Sequence, residues 1–191
     1  ATNKFWTLND GTLTRTAPDA STTLAGSFTA KAGNAAVSLL RTRKAQPRVG
    51  EHYLAYIHPD VAFDLRNAVG DSAWVNPREY VDTAQIYNGE VGAHGGARYV
   101  ETPRCTGGLG AGADEYNTYF VGREGLMEAV AVEPGVRVGP ITDKLGRFRP
   151  VGWYALLGVN RFRENAIEIV RSTGSLAGSG LHDAASYDPK A

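Results

Sequence analysis

The sequence predicts an α+β fold in which a mixed β-sheet packs against flanking helices. A short apolar and aromatic run at 53–57 is typical of a strand, and a helical pattern starts directly after it at Pro59. An earlier helical pattern covers 28–44, and runs with strand character recur from residue 97 onward. We expect the strand and helix that begin at residue 53 to bury a shared face, around which the other elements are organised.

Residues 1–27 form the first predicted region, a loop that contains a small hairpin. Its two arms are Lys4–Leu8 and Thr12–Arg15, on either side of the turn Asn9–Asp10–Gly11. Asp-Gly permits the positive φ angles that tight hairpins need. The second region, 28–171, is the predicted folded part, and the third, 172–191, is rich in Ser, Gly and Ala and predicts a flexible tail.

The segment 28–44 predicts a helix. Its apolar residues recur at helical spacing: Phe28, Ala32, Ala36, Leu39 and Leu40. Ser27 is placed to cap the start, and the basic residues at 41–44 suit the negative end of the helix dipole. Gly33 weakens this helix by about 1 kcal/mol relative to Ala.

The next helix is expected to begin at Pro59, because a first helical residue needs no N–H partner. Asp60 and Asp64 are interpreted as surface residues that compensate the helix dipole. Further on, the glycine-rich segment 86–96 predicts a loop, followed by a strand at Ala97–Glu101.

The second half of the chain predicts more strands. The segment 105–117 is dense in glycine and predicts a mobile surface loop. Strands are expected at 118–122 and 128–132, with an edge strand at 134–141. The segments 149–160 and 161–170 are interpreted as a strand pair with a bend near Gly158.

Composition excludes several classes of function. Twenty basic and 20 acidic residues cancel, so no global field attracts nucleic acid or anionic lipid. No apolar run approaches the roughly 18 residues that span a bilayer, so no membrane partner is expected. The single cysteine, Cys105, allows neither an intramolecular disulfide nor a zinc site of standard spacing.

Candidate chemical motifs are weak. His58-Pro59-Asp60 matches the triplet of J-domain co-chaperones, but in that family the triplet lies in a loop between two helices, whereas here it follows a strand. The glycines at 107–112 lack the helix start that a phosphate-binding loop needs. Histidine spacing predicts no metal pair. We therefore predict no catalytic residue, no cofactor and no metal. The aromatic residues Trp153, Tyr154 and Phe162 are interpreted as core or subunit contact.

Three runs resemble the major capsid proteins of tailed bacteriophages. They are YLAYIHPDVAFDL at 53–65, IYNGEVGAHGGARYVETPR at 86–104 and GWYALLGVNRFR at 152–163. They are most similar to the group typified by phage N-four, which has the Hong Kong 97-type capsid fold. In the second run the matching positions are Gly89, Glu90, Val91, Gly92, Gly96, Ala97, Arg98, Glu101 and Thr102.

The resemblance implies an axial domain with part of a peripheral domain, and a structural rather than enzymatic role. It implies a virion subunit, assembled in the host cytoplasm, that forms pentamers and hexamers around packaged double-stranded DNA. Non-specific contact with this DNA is also implied. Scaffolding, portal or decoration proteins are the other partners implied. The candidate subunit-contact and loop residues are Trp74, Tyr80, Gly89, Glu90, Gly92, Gly96, Arg98, Glu101, Arg104 and Trp153.

The resemblance also predicts that this chain is the C-terminal portion of a longer capsid protein. The arm, extended loop and spine helix of that family are not visible before Phe28, and the chain does not begin with Met. Two alternatives stay open. One is an encapsulin-like nanocompartment shell, which shares the fold, and the other is an α+β enzyme or ligand-binding domain.

Overall fold

A computed structural model of the chain describes residues 3–8, 10–17, 26–67, 90–110, 113–141 and 143–176. The chain divides into two compact units. The first, the sheet unit, comprises 1–123 and 164–191, and the second, the ribbon unit, comprises 124–163. The division of the chain at residues 27 and 171 stays a prediction.

The sheet unit is built on an eight-stranded mixed sheet, as the sequence predicts. Its strands are β1 (Lys4–Thr7), β2 (Leu13–Thr14), β3 (Tyr53–Ile57), β4 (Glu90–His94), β5 (Ala97–Glu101), β6 (Thr106–Gly110), β7 (Ala113–Val121) and β10 (Ile167–Thr173). Their order is β2-β1-β10-β7-β3-β5-β4, and β6 also pairs with β7. The pairs β1/β10 and β3/β5 are parallel, and the others are antiparallel.

Two helices pack on this sheet, at the predicted places. Helix α1 spans Ala30–Thr42 and α2 spans Pro59–Asn67, with Pro59 as its first residue. The expected cap at Ser27 is wrong. Thr29 caps α1 instead, because it is extended and its hydroxyl accepts a hydrogen bond from Ala32 N at 3.3 Å. Ser27 lies outside the helix and forms a bridge with Thr173.

The core lies between the helices and one face of the sheet. Phe120 of β7 is its centre, with Phe28 stacked at 6.5 Å and Tyr99 edge-on at 5.9 Å between ring centroids. Val61 and Leu65 of α2 are completely buried in the same cluster. A single continuous cluster therefore anchors both helices to the sheet.

The interpretation of Asp60 as a surface residue is wrong. Asp60 is buried and accepts a hydrogen bond from the Tyr116 hydroxyl at 2.5 Å. The His58 ring stacks on Tyr116 with 4.2 Å between centroids. Asp64 is bonded too, since it accepts a hydrogen bond from Ser175 N at 2.9 Å. Both carboxylates thus connect α2 to strands or to the segment after β10.

A buried carboxylate joins three elements of the sheet unit. Glu168 of β10 is fully buried, and its Oε2 lies 2.5 Å from Arg43 Nη1, directly after α1. Its Oε1 lies 3.3 Å from Arg15 Nη2, directly after β2. Two guanidinium groups therefore compensate one carboxylate that water does not reach.

The ribbon unit is a long antiparallel hairpin. Its strands are β8 (Leu126–Val138) and β9 (Val151–Arg161), which pair from Leu126–Arg161 to Val138–Val151 with irregularities at Val130–Val132 and Val132–Gly135. The two separate strands expected at 128–132 and 134–141 are thus one strand. It passes Pro134 because the irregularity there leaves that residue outside the hydrogen-bonded register.

Several other expectations are corrected. The loop expected at 105–117 is largely strand, because β6 pairs with β7 through backbone hydrogen bonds that need no strand-forming side chains. The glycine-rich loop before residue 97 contains β4, which forms a hairpin with β5. The bend expected near Gly158 lies instead at 162–166, where a 3-10 turn at Glu164–Ala166 precedes β10. Ser172 and Thr173, which fall in the expected tail, belong to β10.

Candidate subunit-contact surface

The two faces of the β8–β9 hairpin differ sharply in composition. Successive side chains of a strand point to opposite faces, and directly paired residues of two strands share a face. The pairs Val136–Trp153 and Val138–Val151 therefore lie on the same face as Val130–Leu157, because odd-numbered residues of β9 share one face. This face, here named the apolar face, carries eight large apolar residues, and two charged residues, Glu128 and Arg161, lie on it near one end of the hairpin. The eight are Leu126, Val130, Val136, Val138, Val151, Trp153, Leu157 and Val159.

Side chains of the apolar face are open to solvent in the single chain. Trp153 is 69% exposed, Val159 is 71% exposed and Leu157, the least exposed of the eight, is 46% exposed. Apolar patches larger than a few hundred Å² are rare on monomeric soluble proteins and mark interaction sites. Eight such side chains along eleven to thirteen residues of ribbon meet that description.

The opposite face of the hairpin is less apolar. It carries Arg137, Asn160 and three glycines, each paired with a residue other than glycine, and four large apolar residues: Met127, Val132, Tyr154 and Leu156. The Arg137 guanidinium lies over the Tyr154 ring, 5.9 Å from its centroid. The apolar face thus carries twice as many large apolar side chains as the opposite face, eight against four, which favours it for contact with protein.

The sequence offers two interpretations of the aromatic residues in the ribbon unit, as core or as subunit contact, and these have different outcomes. Trp153, Tyr154 and Phe162 are 69%, 49% and 59% exposed, so their interpretation as core is wrong. A subunit contact was the other interpretation, and Trp153 lies on the apolar face of β9 between the exposed Val151 and Leu157. The contact itself stays a prediction.

Three of the ten candidate contact residues, Trp74, Tyr80 and Gly89, lie outside the described residues. Glu90 is the first residue of β4 and pairs with Val100 of β5. The remaining candidates of the sheet unit lie in or directly after the β4–β5 hairpin, and Trp153 lies in the ribbon unit. Of the seven described candidates, six therefore lie in or beside one hairpin of the sheet unit and one lies in the ribbon unit.

Two glycines of the β4–β5 hairpin have backbone conformations that other residues rarely adopt. Gly92 has φ +137° beside a register shift, and Gly96 has φ +86° in the turn. A Cβ on Gly96 would also lie 2.7 Å from Arg41 Nη2 of α1. These glycines allow the hairpin to bend and to approach α1 closely.

The charged candidates of this region are dispersed. Arg98 lies in β5, half-buried, beside Leu54 of β3 in register. Glu101 forms an ion pair with Arg66 of α2, with 3.4 Å between Arg66 Nη2 and Glu101 Oε2. Arg104 is exposed in the turn that follows β5. These residues form no charge cluster that predicts a ligand.

The part of the chain that the structure describes has few features of a catalytic, metal-binding or small-molecule site. No three His, Cys, Asp or Glu side chains there are grouped closely enough to hold a metal ion. An open groove of about 140 Å³ lies between the β1–β2 hairpin and α1, lined mainly by apolar side chains such as Phe5 and Leu39. Burial raises the pKa of the Cys105 thiol to about 11, which opposes a nucleophilic role. None of the described helices is long and apolar enough to cross a membrane.

Comparison with solved structures identifies the fold. The capsid asymmetric unit of cyanophage Pam1 superposes with a TM-score of 0.62 over 80% of this chain, at 17% sequence identity. The capsid of Ralstonia phage GP4 superposes with a TM-score of 0.55 over 78% of this chain, at 14% identity. The chain has a phage capsid fold. No protein-family model and no curated protein match it by sequence.

The predicted α+β capsid fold is therefore confirmed. The chain spans about half the length of these capsid chains, 48% of each. Within this capsid fold, sequence reasoning missed the apolar face of the ribbon. The alternation of Val151, Trp153, Leu157 and Val159 on β9 could have revealed it, but only once the strand was known to have both faces outside the core.

Proposed function

We propose that this chain is a structural subunit of an icosahedral phage shell, in which copies assemble into pentamers and hexamers around packaged double-stranded DNA. The observation that carries the proposal is the exposed apolar face of the ribbon, in a chain with a capsid fold. A structural role needs contact surfaces and no catalytic constellation.

The energy of covering this face supports self-assembly. Complete burial of a Val or Leu side chain contributes about 1.5–3 kcal/mol. The eight side chains of the apolar face are already partly covered, so burying the rest of their surface in a contact contributes roughly 10 kcal/mol. Association costs about 4–15 kcal/mol in lost translational and rotational freedom, so a single contact through the ribbon gives only marginal binding. Stable closure therefore requires several such contacts per subunit, which a closed shell provides.

The symmetry of a ring also suits this face. A ring forms when one surface of a subunit binds a different surface of the next copy and the rotation closes. The apolar face and the predicted contact residues around the β4–β5 hairpin are two such distinct surfaces. Under this proposal, scaffolding, portal and decoration proteins are further partners of the chain. The chain is located in the virion, which is assembled in the host cytoplasm.

The test compares two aromatic residues on opposite faces of β9. Trp153→Lys places a charge on the apolar face, and Tyr154→Lys places the same charge on the opposite face. Both side chains are exposed, so both variants are expected to fold. We expect Trp153→Lys to abolish particles or higher oligomers in negative-stain electron microscopy and light scattering, while Tyr154→Lys retains them.

Two results would contradict the proposal. One is a wild-type protein that stays monomeric at high concentration, both alone and within any longer polypeptide that contains it. The other is particle formation that Trp153→Lys and Tyr154→Lys impair equally, since a contact through the apolar face requires a difference between them.

A further inference from the structure

The end of the β8–β9 hairpin carries a concentration of positive charge. Between Glu133 and Glu164 the sequence has six basic residues and a single acidic one, Asp143. Four of the basic residues lie at or beside the end of the hairpin. We name these four the basic tip: Arg137, Lys144, Arg147 and Arg149.

Hydrogen bonds hold the backbone of the basic tip in a defined shape. Gly139 N donates to Pro150 O at 2.8 Å, which closes the hairpin end directly beyond the last strand pair. Gly146 N donates to Asp143 O at 2.9 Å in a tight turn, where Gly146 has φ +73°. The cations are therefore presented from a fixed turn.

Aromatic rings and one carboxylate orient the arginines. The Arg147 guanidinium lies 5.7 Å from the Phe148 ring centroid, and its Nε lies 3.2 Å from Asp143 Oδ2. The Arg137 guanidinium lies over Tyr154. Of the four cations, Arg147 alone has an ion pair within the described residues. The tip thus keeps a net positive charge, and all four side chains are exposed.

The tip is the end of a two-stranded β-ribbon, and this geometry favours DNA among anionic partners. A two-stranded β-ribbon fits the major groove of B-DNA, which is about 12 Å wide. Arginine is suited to phosphate because its guanidinium donates two parallel hydrogen bonds. Leu145 and Phe148 lie beside these cations and are 73% and 63% exposed.

We propose that the basic tip binds the phosphate backbone of double-stranded DNA without sequence preference. Arg137 lies on the face of the hairpin opposite the apolar face, so a DNA contact leaves the proposed subunit contact free. The proposal depends on the geometry of the ribbon and not on shell assembly.

The test measures binding of the complete 191-residue chain to a fluorescein-labelled duplex of about 20 base pairs by anisotropy, between about 50 and 200 mM salt. Neutralising up to four phosphates predicts a slope of log K against log salt of about −3 to −4. The tip variant Lys144→Gln, Arg147→Gln, Arg149→Gln is expected to reduce the slope to about −1 and to weaken binding at least about ten-fold at the lowest salt.

A matched control removes the same charge elsewhere. Lys44→Gln, Arg48→Gln, Arg123→Gln neutralises three exposed cations of the sheet unit, and it is expected to retain the wild-type slope. Circular dichroism confirms that both variants fold. Absence of duplex binding at about 50 mM salt, or equal loss in both variants, would overturn the proposal.

Competition separates DNA from other anions. Polyglutamate of matched charge is expected to displace the duplex poorly, and equal displacement would overturn the DNA assignment in favour of an acidic protein segment. Particle formation by the tip variant is scored separately in electron micrographs. Particles without DNA binding would refute only this inference, and DNA binding without particles would refute only the shell function.

Discussion

Gly33 lies in the middle of α1, where a Cβ atom would collide with the hydroxyl oxygen of the buried Tyr99. In an exposed helix, replacing Gly with Ala stabilises by about 1 kcal/mol. Here we expect Gly33→Ala to destabilise the protein by about 1–3 kcal/mol, because the core must shift to admit the methyl group. The free energy of unfolding in urea measures this effect.

A double-mutant cycle with Tyr99→Phe identifies the cause. Removing the hydroxyl removes the collision, so Gly33→Ala is expected to be neutral or stabilising in the Tyr99→Phe background. If Gly33→Ala raises the thermal midpoint of the otherwise wild-type protein, the close packing of α1 on β5 is refuted.

Cys105 makes stability depend on pH in the alkaline range. Burial raises the pKa of its thiol from 9.0 to about 11. As the pH rises above 9, the unfolded thiol therefore loses its proton before the folded one, which favours unfolding. The stability that the neutral thiol contributes is fully present below about pH 9 and is lost towards pH 11.

The expected result is a free energy of unfolding that falls by up to about 1.4 kcal/mol per pH unit above pH 9. Urea midpoints at about pH 8, 9 and 10 measure it, with Cys105→Ala as the control that removes this dependence between pH 9 and 10. Burial also raises the pKa of Tyr99, which adds a further loss above pH 10. A Cys105→Ala variant with the same alkaline slope would contradict the assignment.

At the scale of elements, Glu168 connects β10 to α1 and to the N-terminal hairpin through Arg43 and Arg15. We expect Glu168→Gln to destabilise the protein by about 3 kcal/mol, because it leaves the Arg43 guanidinium without its buried counter-charge. The matched control is Glu101→Gln, which breaks the more exposed pair with Arg66. That change is expected to alter stability by less than about 1 kcal/mol.

The comparison of these two variants in thermal and urea unfolding is decisive. Equal small effects would show that Glu168 is hydrated or uncharged in the folded protein. A large effect confined to Glu168→Gln, together with faster proteolysis of the N-terminal hairpin, would support its role in holding β1 and β2 on the sheet.

Elements with strong local patterns are those that the sequence predicts correctly. Helix α1, strand β3, helix α2 and strand β5 each combine apolar periodicity with boundary residues such as Pro59. Strand β6 is missed because Thr106–Gly110 has three glycines and is specified by pairing with β7. The parallel pairing of β1 with β10 is also missed, since residues about 165 positions apart carry no local pattern for it.

At the scale of the whole molecule, the resemblance of three sequence runs to capsid proteins predicts the fold, which the Pam1 and GP4 capsids confirm. The contact surface is harder to predict. Exposure is a tertiary property, and the valines of the apolar face are the residues that a buried strand also contains. A buried strand and an exposed contact surface are distinguished only by the register of β8 with β9 and by the exposure of side chains on both faces of the hairpin.

The central claim is that the apolar face of the ribbon is a contact between subunits of a shell. Cryo-electron microscopy of the particles that this chain forms, alone or within a longer polypeptide, tests it directly. The account predicts closed particles in which Val130, Trp153 and Val159 are buried against protein. Closed particles in which this face remains in solvent, or a protein that forms no particles at all, would contradict it.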